Sequence, residues 1–543
     1  MEKNLAQIIK DLYDVEVTPQ VTQPAPEFGD YASNIALQLA KQLGKNPREI
    51  AEEIAGKLRE NTDAIESVDV AGPGFLNLRV STAAKLEQLR TQPQPKRVGQ
   101  STVIETNNPN PFKAMHIGHA MNAILADTIA NLLAIDGAQP RRVSYHGDVG
   151  LHVGKSMYSL LRYADGDFEK IQSIAENERN TFMSKMYAEG SRAYKEDEAA
   201  KVEIDQLAQR SFAPGEDLYG QIYELCKAWS FEQIDATVAR LGNVPTVARF
   251  LESLADPRGV KIVKENTPGV FELSDGAYIF RGSEYGSFDN AFVSSNGRGL
   301  YAARDLGLME MKNELFGPDK SYIITGGEQA QYFKGVIAAA GLVDASMKDQ
   351  TVNIPTGLAK LSTGKMSSRD GDVIEIGWLF DQFKDAIATR GGEPTEEIIA
   401  GALRYQFLKV KVGSDIVFDI AEAVSITGNT GSYLQYAHAR ARRILENTTE
   451  KAEMPTELYE EDAALVRKLG EYSGVVEVAA KLLEPHHICA YLFELAQEFN
   501  RYYEQNRVVG DEKEAHRVGL VSVYADILKA GLFILGIHAP EKM

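Results

Sequence analysis

Apolar positions recur at helical spacing over residues 5–13, 31–43 and 47–58; Gly44 stops the second run and Pro47 opens the third. Residues 68–80 read as two short strands around Gly72-Pro73-Gly74, and Pro93-Gln94-Pro95-Lys96 as a linker. Beyond the linker the period changes. Thr102-Val103-Ile104 predicts a short buried strand, after which Met121, Ile124, Leu125, Ile129, Leu132 and Leu133 follow a helical repeat until Gly137. A second strand over 142–145 leads into His146-Gly147-Asp148-Val149-Gly150. The alternation lapses between about 155 and 285. Residues 170–240 are charged and helix-favouring, and 260–263, 270–273 and 277–280 read as strands with Asp275-Gly276 as a hairpin turn. It resumes with a turn at Asn296-Gly297, a helix over about 300–313, a buried strand over 322–325, Gly326-Gly327-Glu328-Gln329 and a helix over 331–340. After about 395 nearly every stretch favours helix.

Repeated strand–glycine–helix units predict an α/β fold built on a doubly wound parallel sheet. The expected organisation is an α/β module at 1–95, a central domain at 98–395 with an insertion at roughly 155–285, and an all-α bundle at 396–543. A chain of 543 residues must hold several domains, and 44% hydrophobic residues supply the core. The net charge of −19 argues against indiscriminate nucleic-acid binding, so DNA is not an expected partner; a local basic patch for RNA remains open. Two cysteines, Cys226 and Cys489, leave neither a disulfide framework nor a thiolate zinc site. The apolar stretch 520–537 is broken by Asp526 and Lys529, which predicts a buried helix and no membrane partner. Met1-Glu2-Lys3-Asn4 has no signal pattern, so a cytoplasmic location is expected, and with no heptad run the expectation is a monomer.

Candidate chemistry sits at the first strand–helix junction of the central domain. His116-Ile117-Gly118-His119 falls where the free N–H groups of a helix start suit phosphate, and both imidazoles can donate to phosphate oxygens. A metal site is the competing reading of two histidines three apart, but no Glu between them and no Cys partner completes it. A second stretch, Lys365-Met366-Ser367-Ser368-Arg369-Asp370-Gly371, reads as a loop with cations at both ends, or else as a plain solvated loop.

In this order and spacing the two stretches resemble the signature motifs of class I aminoacyl-tRNA synthetases. Glu27-Phe28-Gly29-Asp30-Tyr31-Ala32-Ser33-Asn34 and Ala71-Gly72-Pro73-Gly74-Phe75-Leu76-Asn77 resemble the N-terminal domain of arginyl-tRNA synthetases. The run from Gly431-Ser432-Tyr433-Leu434 to Arg440-Ala441-Arg442-Arg443, with Phe499-Asn500-Arg501-Tyr502-Tyr503 and Gly536-Ile537-His538-Ala539-Pro540, resembles their helical anticodon-binding domain.

That resemblance implies a Rossmann-like class I catalytic domain split by a connective insertion, with ATP and Mg2+ as cofactors and arginine and tRNA as partners. By the same resemblance His116 and His119 act on the α-phosphate, Gly118 leaves room for adenine, Lys365 holds pyrophosphate, and Met366, Ser367 and Ser368 complete the ATP site. Ser368 stands where many class I enzymes have a second lysine. Lys113, just upstream of His116, is the implied substitute, and the division of labour among Lys113, Lys365 and Arg369 stays open. Glu105, Asn107, Asn110, Tyr301, Asp305 and Gln329 match the arginine pocket. Phe28, Asn34, Tyr433, Arg440 and Arg443 match tRNA-contacting positions, where aromatic rings beside arginines suit unpaired bases. The residues themselves add one argument: a planar guanidinium asks for a carboxylate, and Asp305 follows Tyr301 by one helical turn. Two other readings remain. A small nucleotidyltransferase also uses His-x-Gly-His, without need of the flanking modules, and a catalytically silent paralogue would only bind tRNA.

Overall fold

The computed structural model describes residues 2–22, 24–60, 64–362 and 374–543. The chain forms two compact units: Gln94–Arg440 with Val475–Phe493 and Leu528–Met543, and Met1–Pro93 with Ala441–Gly474 and Glu494–Ile527.

The larger unit is organised around a five-stranded sheet. In chain order its strands are β1 (Ser101–Asn107), β2 (Gln139–His146), β3 (Ala248–Leu251), β4 (Lys320–Gly326) and β5 (Thr351–Thr356). The spatial order is 3-2-1-4-5 and every pairing is parallel. This is a doubly wound sheet, with its topological switch point between β1 and β4. Helix α1 (Ile117–Ile135) follows β1, α2 (Tyr301–Phe316) precedes β4, and α3 (Ala330–Val343) joins β4 to β5. Leu308 of α2 packs with Val103, Val143 and Phe250 from three adjacent strands. Helix α1 is held from within: buried Asp127 pairs with Arg142 (2.8 Å) and with Arg404 (2.9 Å) of α4 (Glu396–Leu408). Arg404, with no exposure, also donates to the carbonyls of Leu241 and Leu535.

Several expectations change here. Residues 260–263 are not a strand but the end of the Glu252–Glu265 helix. The helix carries Pro257 at its sixth position, and packing sustains it: Ile262 and Val263 are buried in the core shared with Ala303 and Leu306 of α2. The two helices touch so closely that a Cβ on Gly259 would come 1.7 Å from the Ala303 carbonyl oxygen. Strand β3 falls inside the stretch read as an insertion. It is four residues long, too short to leave a period in the sequence. β5 was also unforeseen; its Pro355 is tolerated because β5 is the sheet edge. The Glu272–Ser274 and Ala277–Phe280 strands do form a hairpin, with Asp275 and Gly276 at φ 50° and 81°.

The smaller unit contains a three-stranded antiparallel sheet in the order Tyr31–Ser33, Phe75–Val80, Ile65–Ala71. Helices Glu2–Tyr13, Ile35–Leu43 and Pro47–Arg59 bury Leu5, Ile35, Leu39, Ile50 and Ile54 together with Leu76 and Leu78. The helix expected over 31–43 therefore begins only at Ile35. Tyr31–Ser33 are drawn into strand pairing with Leu76, Asn77 and Leu78. Gly74 is required where the chain turns, at φ 137°, because a Cβ there would lie 2.7 Å from the Pro47 carbonyl oxygen. In the later part of this unit, buried Asp462 accepts from Tyr502 Oη (3.0 Å) and from His516 Nε2 (2.7 Å). Residues 520–537 lie largely within the Glu514–Ile534 helix, and among the described residues no helix is long and apolar enough to cross a membrane.

Candidate active site

After β1, Asn108 and Asn110 tie this loop to the one after β2. Asn108 Oδ1 accepts the Tyr145 N–H (2.9 Å) and Asn110 Oδ1 the Gly147 N–H (3.1 Å). Phe112 then adopts φ 64°, unusual for a bulky residue. It is held there by complete burial, by stacking on Tyr223 (5.5 Å between centroids), and by donation of its N–H to Ser230 Oγ (3.0 Å). The chain next enters α1, with His116 as N-cap in extended conformation. The His116 N–H donates to His119 Nδ1 (3.3 Å), and the two rings stack at 3.6 Å. A Cβ on Gly118 would approach the His116 ring to 3.2 Å, so the glycine here makes room for that imidazole.

Burial and the nearby Lys113 push His116 down to about 4. Burial, reinforced by His116 and Lys113, holds His119 well below the usual histidine value. Both rings are neutral at pH 7, so they offer phosphate hydrogen-bond donors rather than full charges.

These histidines line a cavity of about 710 Å3 beyond the carboxyl ends of β1, β2, β4 and β5, at the switch point. The structure brings Glu105, Asn110, Gly118, Tyr301, Asp305 and Gln329 to the same cavity. Asn107 is not among its lining residues, although Glu105, Thr106 and Asn108 are. The pairing register of β1 slips between Glu105 and Asn107, and Asn107 ends as a buried residue donating to Thr106 Oγ1 (3.2 Å). Lys113 lines a neighbouring cavity of about 550 Å3 with Arg179, Trp229 and Glu375, its ammonium 5.8 Å from the Tyr187 ring centre. It reaches the histidines only through space.

Lys365, Met366, Ser367, Ser368 and Arg369 lie outside the described residues. Their flanks converge on the first motif. Leu358, Ala359 and Ile374 line the cavity, the Ile117 N–H donates to the Ile374 carbonyl (2.9 Å), and the Ile376 N–H donates to the Met115 carbonyl (3.0 Å).

Four carboxylates line the cavity: Glu105, Glu252, Asp305 and the exposed Glu328. Glu105 pairs with buried Lys312 (2.7 Å) and accepts from Asn108 Nδ2 (2.7 Å). Glu252 pairs with Arg304 (2.8 Å), which also reaches Asp256 (3.1 Å). Among the described residues Asp305 has one hydrogen-bond partner, the hydroxyl Tyr332 Oη at 2.5 Å. Burial, with Glu105 and Glu252 nearby, pushes its carboxyl up to about 7. The Tyr145 hydroxyl is buried among these groups with no hydrogen-bond partner. Lys312, Arg304, Glu252, Tyr332 and Tyr145 were not singled out from the sequence. Lys312 alone left a trace there, two helical turns after Asp305 on the same face.

The proposed RNA contacts are divided. Phe28 (56% exposed) and Asn34 are on the surface of the smaller unit. Tyr433 is buried, edge-on to Phe493 at 5.8 Å, so its ring packs the core instead of facing solvent; Tyr436, one turn away, is exposed. Arg440 is half-buried and Arg443 exposed.

A 3-2-1-4-5 parallel sheet with a His-x-Gly-His helix start at its switch point defines a nucleotide-binding α/β catalytic domain. Residues 82–413 match the family model of the tRNA synthetases class I (R) catalytic domain, and the chain belongs to that family. Residues 1–80 match the arginyl tRNA synthetase N terminal domain, and 434–543 the DALR anticodon binding domain. The arginine–tRNA ligase of Clostridium perfringens is 28% identical over 100% of both chains. That of Lactococcus lactis subsp. lactis is 29% identical, covering 95% of this chain and 94% of its own. The solved arginyl-tRNA synthetase of Thermus thermophilus has the same fold, with a TM-score of 0.83 at 23% identity, covering 100% of this chain and 99% of that one.

Proposed function

We propose that this chain ligates L-arginine to an arginine-accepting tRNA. The arginine carboxylate attacks the α-phosphate of ATP, giving arginyl-adenylate and pyrophosphate. The 2′-hydroxyl of the terminal adenosine of tRNA then takes the arginyl group, and AMP leaves. Neither step needs a protein nucleophile; both need alignment and stabilisation of charge on phosphate oxygens.

The observation that carries this reading is a single cavity lined both by two neutral imidazoles at a helix N-terminus and by a buried carboxylate that, among the described residues, has no ion pair. His116 and His119 donate to the α-phosphate as negative charge spreads over it. Asp305 pairs with the guanidinium, Tyr301, Gln329 and Asn110 border the substrate, and Glu105 receives the α-ammonium. Lys365 and the serines after it hold pyrophosphate, and Lys113 adds positive potential from the neighbouring cavity. Glu105 and Glu252 already hold cations of their own, so Mg2+ arrives with ATP, bound mainly by phosphate oxygens and water. It offsets phosphate charge. The N-terminal module, through Phe28 and Asn34, and the helical end, through Arg440 and Arg443, hold tRNA. The chain acts as a cytoplasmic monomer.

Charging of total tRNA with each of the twenty amino acids, with ATP and magnesium, tests the reading. Arginine-specific charging that is lost in His119→Ala is expected. Charging with another amino acid would overturn the pocket assignment, and tRNA binding without charging would favour the silent paralogue.

A further inference from the structure

Lys312, near the end of α2, is 1% exposed. Its ammonium donates to Glu105 Oε1 at 2.7 Å, and the side chain of Glu105 is 2% exposed. Lysines are almost never fully buried unless paired. A buried ion pair is also weak evidence of a stabilising design, since apolar residues of similar volume often do as well or better. Stability alone therefore does not ask for this pair.

Its position suggests what does. Glu105 lies at the carboxyl end of β1, on the wall of the cavity. Lys312 fixes one of its oxygens and Asn108 Nδ2 the other (2.7 Å), and Asn108 is itself anchored by the Tyr145 N–H (2.9 Å). Both oxygens are thereby oriented before any substrate arrives. Helix α2 supplies Arg304 to Glu252 and Lys312 to Glu105, and among the described residues Asp305 has no ion pair, only the Tyr332 hydroxyl and the longer-range influence of Lys312. Free arginine carries a net charge of +1 at neutral pH.

We propose that Lys312 is a positioning residue for amino-acid selection: it holds Glu105 in the orientation that meets the α-ammonium and cancels its charge, so that Asp305 rather than Glu105 attracts the guanidinium. The inference rests on the arginine reading of the cavity. Lys312 itself touches no substrate and acts through Glu105.

The test uses the full-length protein with Lys312→Met, Lys312→Arg, Glu105→Gln and the double variant Glu105→Gln/Lys312→Met. Arginine and ATP KM, kcat, and direct arginine binding by calorimetry are measured for each. Lys312→Met is expected to raise the arginine KM by about tenfold or more, with the ATP KM within about twofold of the parent. Lys312→Arg should recover most of that loss. The double variant should bind arginine no more weakly than Glu105→Gln alone, because a residue acting only through Glu105 has nothing left to act on. Should Lys312→Met fold poorly with Glu105 left unpaired, the double variant, which removes both charges, still gives the comparison with Glu105→Gln. Equal losses for arginine and ATP, or additive losses in the double variant, would overturn the inference. Failure of the arginine reading is distinguishable, since the parent protein itself would then neither bind nor charge arginine.

Discussion

In the proposed function, Asp305 is the residue on which substrate choice turns. Its carboxyl is raised from the ordinary value to about 7, so it is about half protonated at neutral pH in the empty cavity. A guanidinium pairs with the ionised form only. The sign follows: arginine binding expels a proton, and affinity rises with pH. If only the ionised fraction binds, arginine affinity gains about tenfold between pH 6 and pH 8. Calorimetry in buffers of different ionisation enthalpy should show proton release; a flat profile would place the carboxyl at its ordinary value. Asp305→Asn should weaken arginine by roughly 2–4 kcal/mol while changing ATP affinity little. The same shift bears on stability with the opposite sign. A carboxyl whose folded value is raised favours the folded state only while protonated, so its ionisation destabilises the fold as pH rises from the unfolded value through about 7. Asp305→Asn should therefore raise Tm at pH 8 even as it weakens arginine binding, a trade-off expected where a site keeps a buried charge for its ligand.

At the scale of elements, helix α2 does most to build the amino-acid side of the cavity. It carries Tyr301, Arg304, Asp305 and Lys312, and its depth is set by the Glu252–Glu265 helix packed against it. The contact depends on residues without side chains: a Cβ on Gly259 would meet the Ala303 carbonyl oxygen at 1.7 Å, and one on Gly307 the Ala255 carbonyl oxygen at 2.1 Å. Gly259→Ala cannot be absorbed by a rotamer change, because the atom it strikes is backbone. It should cost ~1–3 kcal/mol of stability, read as a lower urea midpoint with unchanged slope. It should also weaken arginine more than ATP, because the displaced helix bears Asp305 and not the histidines. Unchanged stability would mean that the two helices slide apart freely.

At the scale of the molecule, the proposed function gives the smaller unit an RNA contact of its own, apart from the residues proposed for the chemistry. His116, His119 and Asp305 are in the larger unit, while Phe28 projects from the smaller one. Phe28→Ala should raise the KM for tRNA, by up to the ~1–3 kcal/mol of a stacked base, and leave the Kd for arginine unchanged. A shift in arginine affinity would show that the module acts on the cavity rather than on tRNA.

Much of this was legible from the sequence. The His-x-Gly-His start of α1, the strands around it and the hairpin at Asp275-Gly276 follow from local rules: hydrophobic period, glycine conformation and the chemistry of a helix N-terminus. Asp305 was singled out by its match to the arginine pocket of arginyl-tRNA synthetases together with the carboxylate a guanidinium asks for, and it lines the cavity. Four-residue β3 and proline-bearing β5 were not, because edge strands need little hydrophobic patterning. Nor was the helix through Pro257, which tertiary burial sustains against its own propensity. Tyr433 looked like a stacking platform because an aromatic beside arginines reads alike in core and on surface; only burial separates the two. The pairing of Glu105 with Lys312 across 207 positions has no local signature at all. The sequence by itself determined which reaction groups are present and which short elements carry them. Only the tertiary structure decided which of the cavity's carboxylates are paired, because that depends on which cations the fold brings beside Glu105 and Glu252.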